Sequence, residues 1–164
     1  MIAALAWMLP AWMRPTLSPE LMDRAGAALA GRIREARRQV IAAGVHPIPA
    51  AVYRDMLGYF PAHLLQRCRY AVGGSRMLAV PRAKRIYGST AVTTLQDVVV
   101  FRSARVAESD PRLWARELTR LMQFQRWGVE GFADRFVHDG AAVEQEVEDN
   151  ATRFMAWREQ RLGA

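Results

Sequence analysis

Arg116, Glu117 and Arg120 lie in the run L-W-A-R-E-L-T-R-L-M-Q-F-Q-R-W-G, residues 113–128, with the spacing of a metal-binding helix whose metal-binding side chains have been replaced. As a helix, this run puts positions 116 and 120 on one face with Glu117 beside them, the geometry in which an H-E-x-x-H helix holds zinc. Both histidine positions are arginine here. A neutral imidazole offers zinc a lone pair, whereas a guanidinium has no acceptor, stays protonated and repels a dication. At an effective dielectric near 20, unit charges about 4 Å apart interact by roughly 4 kcal/mol, so two arginines facing a double charge make coordination at these positions prohibitive.

Two helices must position these residues. Asp110 and Pro111 supply an N-cap and a proline at the first helical position, and Gly128 supplies a left-handed stop, so the first helix spans 111–127. Trp114, Leu118, Leu121 and Met122 form its apolar face, while Arg116, Arg120, Gln123 and Trp127 occupy another. A short helix, 130–137, is expected to end near His138-Asp139-Gly140, before a longer one over 141–160 with Val143, Val147, Ala151 and Phe154 as its buried stripe. Glu144 and Glu148 lie four apart on the margin of that stripe. In one class of zinc peptidases, a helix offering E-x-x-x-D/E after an H-E-x-x-H helix brings the third ligand and a supporting carboxylate. Taken alone, the first row equally suits a solvated surface on which Glu117 pairs with Arg116 or Arg120, worth about 0.3–0.5 kcal/mol.

Upstream, Ser18-Pro19-Glu20 opens a helix expected over 19–43 and stopped by Gly44, with Leu21, Ala25, Leu29, Ile33, Ala36 and Val40 as its stripe. Arg32, Arg34, Arg37 and Arg38 fall mostly off that stripe and are candidates for meeting nucleic-acid phosphates or anionic lipid, although no base-reading motif accompanies them. His46-Pro47-Ile48-Pro49 is an extended connector, because a residue before proline is pushed out of the helical region. Short helices are expected over 50–57 and 61–67, with Tyr53, Leu57, Tyr59, Phe60, Leu64 and Leu65 as a second layer of core. A small sheet follows: a strand from Cys68, a turn at Gly73-Gly74, a short strand at 85–87 and a strand at 97–102 whose β-branched run suits burial on both faces. His46 and His63 have no partner at metal-binding spacing.

With 164 residues the chain can bury a core as one domain without disulfides, and its single cysteine, Cys68, excludes an intramolecular bridge and a cysteine-rich zinc site. The net charge of +7 favours polyanions in general and names no partner. Residues 1–13 are apolar but too short to span a bilayer and are interrupted by Pro10, so no transmembrane segment is expected. They suit either the apolar part of a secretory signal or an arm whose Trp7 and Trp12 pack on the domain, which leaves cytoplasmic and exported locations both open.

Together these residues resemble the extracellular contractile injection system core domain family, whose small bacterial members have A-H-E-L-T-H-V-x-Q-Y, then R-W-G-V, then an E-x-E-A-D-like helix. The matching segments are A-R-E-L-T-R-L-M-Q-F at 115–124, R-W-G-V at 126–129 and E-Q-E-V-E at 144–148. Segments 58–62, 69–73 and 94–101 are also similar, so the resemblance covers roughly residues 18–151. It implies a zincin-like metallopeptidase architecture: an α+β, mostly helical single domain over 18–164 with a small sheet, preceded by an arm or signal-like segment over 1–17. It also implies metal ligands at 116, 120 and 144, a general base at Glu117 and a supporting acid at Glu148. With arginine at the first two positions, the expectation is a catalytically inactive pseudo-metallopeptidase that has lost zinc and acts by binding or as a structural domain. The alternatives are a metallopeptidase that recruits a metal through His138 or His63, and a polyanion-binding protein using the Arg32, Arg34, Arg37 and Arg38 face. If the two helices pack as in zinc peptidases, Arg116 and Arg120 should meet Glu144 and Glu148 in an ion-pair cluster, with Glu117 alongside.

Overall fold

A computed structural model describes residues 18–73 and 92–163. Its elements in chain order are α1 (Pro19–Ala43), β1 (His46–Pro47), α2 (Ala50–Met56), α3 (Ala62–Arg67), β2 (Arg69–Val72), β3 (Val92–Leu95), β4 (Val98–Phe101), α4 (Ala104–Ser109) and α5 (Pro111–Gly163). The fold is α+β, mostly helical, with a four-stranded mixed sheet. No helix among the described residues is long and apolar enough to cross a membrane.

The long α5 is three segments separated by two backbone breaks. Gly128 has φ 69°, the left-handed conformation that glycine adopts without a Cβ penalty, and Asp139 leaves helical geometry at φ −145° and ψ 64°. The first segment, 111–127, starts at Asp110, whose Oδ1 accepts from Leu113 N at 2.9 Å. The third, 140–163, starts at Asp139, whose Oδ1 accepts from Ala142 N at 3.1 Å. These side-chain caps satisfy amides that a helix start leaves without a partner.

The strands lie in the order β1-β2-β4-β3, with β2 and β4 parallel and the outer pairs antiparallel. Alternation along β4 sends Val98 and Val100 toward Ala36 and Val40 of α1, and Val99 and Phe101 toward Trp114 and Leu118 of α5. The sheet is therefore covered on both faces, and all of β3 and β4 is buried. A two-residue turn, Gln96-Asp97, joins β3 to β4. Asp97 accepts a bidentate pair from Arg37 of α1, at 2.6 Å from Nε and 2.9 Å from Nη2.

Several expectations need correction. Leu21 is exposed and Ala25 only half-buried, whereas Gly26 and Ala30 are buried, because the face of α1 that carries Gly26 and Ala30 is the one that meets the middle segment of α5. A Cβ on Gly26 would lie 3.4 Å from the Asp134 Cα. Leu57 is exposed because the chain leaves helical geometry there, at φ −66° and ψ 131°, turning it off the face shared by Val52 and Met56. Strand β3, V-T-T-L, and helix α4 had no expected counterpart. The N-terminal segment with Trp7 and Trp12, Gly74 of the expected turn and the 85–87 strand lie outside the described residues.

Cys68, the only cysteine, is buried at the end of α3, where its amide donates to Leu64 O at 3.0 Å. Burial is the main cause that pushes its thiol pKa up to about 12.

Candidate functional site

The first and third segments of α5 fold back on each other, and from Arg120 to Arg112 their polar contacts run in opposite residue order. Arg126 meets Glu146, Arg120 meets Glu144, Arg116 meets Glu148, and Arg112 meets Glu148 and Thr152. The segments are therefore antiparallel, and the basic residues at 112, 116 and 120, one per turn, face the acids of the opposite segment.

Arg120 is the centre of this seam. Its side chain is only 2% exposed, and Nη2 lies 2.8 Å from both Glu144 oxygens. Arg116 Nη1 is 2.5 Å from Glu148 Oε1, with Nη2 3.9 Å from Glu144 Oε2. The expected pairing of Arg116 and Arg120 with Glu144 and Glu148 is thus present in the geometry, but Glu117, expected alongside, is instead turned to Thr94. The arginine–glutamate pairs are charge-assisted contacts, and their partly dry setting strengthens both the attraction and the penalty for removing one partner. Arg120 also lies over the Phe132 ring, 5.8 Å from its centroid, so the middle segment closes one side of the pair.

Glu117 points the other way, into the sheet. It is 4% exposed, and its Oε2 accepts from the Thr94 hydroxyl at 2.5 Å. Thr94 pairs with Val99 in the β3–β4 ladder and so shares the sheet face that meets α5. Burial raises the Glu117 pKa above the ordinary carboxylate range, and Glu144 adds to the rise; Arg120, the Thr94 hydroxyl and Arg116 oppose it. The site is thus a buried carboxyl on the sheet side and a ladder of ion pairs on the helix side, joined through the backbone turn 116–120.

Further polar residues complete the seam. Gln123 is fully buried and donates to Val143 O at 2.9 Å and to Glu146 Oε2 at 3.0 Å. Asn150 donates to the Thr119 hydroxyl at 2.7 Å, and Tyr59 donates to Asn150 Oδ1 at 2.9 Å, tying the α2–α3 connection to both segments. Arg116 Nε and Gln123 Oε1 are buried without a hydrogen-bond partner among the described residues. The H-E-x-x-H frame assigns no ligand or base role to Thr94, Thr119, Gln123, Glu146 or Asn150. For Gln123 a signal did exist, since it continues the three-to-four spacing of Arg116 and Arg120, whereas Glu146, two residues from both Glu144 and Glu148, lies off their row.

The arginines of α1 do not form an open cationic row. Arg34 pairs with Glu130, Arg37 with Asp97 and Arg38 with Glu35, while Arg32 is exposed. His63 is exposed and lines a shallow cavity with Arg67, Gln96 and Asp97, away from the seam. His138 is also exposed, on the middle segment of α5 near Asp134.

No family model, curated protein or solved structure matches the chain.

Proposed function

We propose that this protein is a catalytically inactive relative of the zincin-like metallopeptidases, similar to the extracellular contractile injection system core domain family, that holds no metal at positions 116, 120 and 144 and acts by binding or as a structural domain. The observation that carries the proposal is the Arg120–Glu144 pair. A buried guanidinium donates to both oxygens of the carboxylate that would serve as third zinc ligand, so hydrogen bonds join two positions that a metal would otherwise bridge. With arginine at 116 and 120 in place of metal ligands, Glu117 would have no metal-bound water to deprotonate, and its buried carboxyl is turned to the Thr94 hydroxyl. The polyanion alternative has less support, because three of its four arginines already face carboxylates of this chain.

Elemental analysis of the purified full chain tests the proposal. Any zinc in the wild type should be unchanged by Glu144→Gln, and peptide substrates should remain uncut. Arg116→His with Arg120→His should add one equivalent that Glu144→Gln then removes, since the third ligand position and its neighbour Glu148 remain. Zinc that wild type loses on Glu144→Gln would overturn the metal-free reading. A folded double variant that gains no zinc would overturn the ligand role of position 144.

A further inference from the structure

We infer that Asp23, Asp134 and His138 form a divalent transition-metal site that clips α1 to the middle segment of α5, separate from the arginine–glutamate seam. Each residue offers one ligand atom, and the three atoms lie within 4.8 Å of one another. In a tetrahedral zinc site, bonds of about 2.0–2.2 Å set ligand atoms roughly 3.3–3.6 Å apart, so rotamer changes of these exposed side chains would draw the three atoms onto one ion.

The placement follows from backbone packing. Gly26 faces the middle segment of α5, where a Cβ would sit 3.4 Å from the Asp134 Cα and 3.6 Å from its amide nitrogen. Asp23 lies three residues before Gly26, so it emerges on the same side of α1 about one turn away. On α5, Asp134 and His138 are four apart and therefore share a face. The His138 Nδ1 lies 3.3 Å from the Asp134 carboxylate and 2.9 Å from the Asp134 carbonyl oxygen, so the imidazole leans back over this turn. One nitrogen and two carboxylates from two helices make a mixed donor set that favours zinc, cobalt or nickel over magnesium or calcium, which take oxygen ligands.

The chemistry of the open side completes the picture. All three residues are exposed, so water can fill the remaining coordination positions. Asp134 and His138 also line a cavity of about 640 Å³ with Trp127, Arg135, Asp139 and Glu146. Two carboxylates neutralise a dication, and the imidazole adds no charge when neutral, so the filled site is electrically balanced.

The test uses Zn²⁺ alone, titrated into metal-stripped full-length protein by calorimetry, with Co²⁺ absorption as a second readout. One equivalent should bind, and the thermal midpoint should rise with Zn²⁺ concentration, because only the folded chain holds α1 and α5 together. His138→Gln and Asp23→Asn should each weaken binding by at least about tenfold and remove the thermal shift. Because both positions are exposed, circular dichroism in the absence of metal should match the wild type. His63→Gln and Glu144→Gln should leave uptake unchanged. No saturable uptake, or uptake that survives both His138→Gln and Asp23→Asn, overturns the inference. Uptake lost in Glu144→Gln but kept in His138→Gln would instead overturn the metal-free reading of the seam, so the two failures are distinguishable.

Discussion

The first segment of α5 buries two sides by opposite means. Toward the sheet, Trp114 packs on Phe101 at 4.7 Å between ring centroids, near Leu118 and Leu121, and the indole nitrogen donates to Ala107 O at 2.6 Å. Toward the third segment, burial is achieved by Arg120, Gln123 and their acidic or carbonyl partners. The apolar side gains free energy from each side chain added to it, because removing apolar surface from water is favourable regardless of neighbour identity. The charged side gains little net free energy as a pair, since desolvation offsets attraction, yet it strongly penalises a lone member. One side tolerates change in proportion to volume, whereas the other responds to whether partners are complete.

The largest effect should come from the apolar side. Trp114→Ala should cost about 3–5 kcal/mol in urea denaturation, toward the upper end because Ala107 O also loses its donor. If the loss is below about 1 kcal/mol, the cluster around Trp114 is not the main core.

Glu144→Ala should come next, costing about 3 kcal/mol, because it leaves Arg120 buried beside a vacancy. The sharper test is Arg120→Met combined with Glu144→Leu, which should recover wild-type stability or exceed it, since neither side then has an unmatched charge. A double variant as unstable as the single would mean that the seam depends on these ion pairs in particular, and the contrast between the two sides would fail. Arg38→Ala, at an exposed pair within α1, should change stability by about 0.5 kcal/mol or less.

The smallest effect is a pH slope. Glu117 has a raised pKa in the fold, so the folded chain holds its proton more tightly than the unfolded chain. The stability this proton contributes is complete below the unfolded carboxylate value of about 4.3 and is lost as pH rises through the higher folded value. Wild-type stability measured from pH 4 upward should therefore fall relative to Glu117→Gln, which has no proton to lose. Parallel curves for the two proteins would show that Glu117 titrates normally.

Local chemistry made much of this fold legible in the sequence. Ser18 and Asp110 cap helices because each presents a side-chain oxygen to an unpaired amide, and Gly128 breaks α5 because its φ is positive. Val143, Val147, Ala151 and Phe154 share one face by period alone, and all are buried. The β3 strand was not legible: Thr93 and Thr94 look polar, and their burial depends on pairing with Val100 and Val99 on the next strand. Within the site, the spacing of Arg116, Arg120, Glu144 and Glu148 was readable, but the same rows would suit a solvated surface. What places Arg120 at 2% exposure is the return of the third segment, which the breaks at Gly128 and Asp139 allow. Gly26 was likewise invisible as an interface residue, because a glycine adds nothing to an apolar stripe, yet it lies buried against Asp134 of α5.

The buried thiol gives the molecule a reporter of its own opening. With a pKa of about 12, Cys68 holds only on the order of one thiolate per 10⁵ molecules at pH 7 while the α3–β2 junction is closed, and the sulfur is shielded from solvent as well. A thiol reagent added to native protein reacts with the molecules that have opened, where the thiol regains ordinary reactivity. As Cys68 is the only cysteine, the labelling rate divided by that of a free thiol gives the population of open chains, without any mutation.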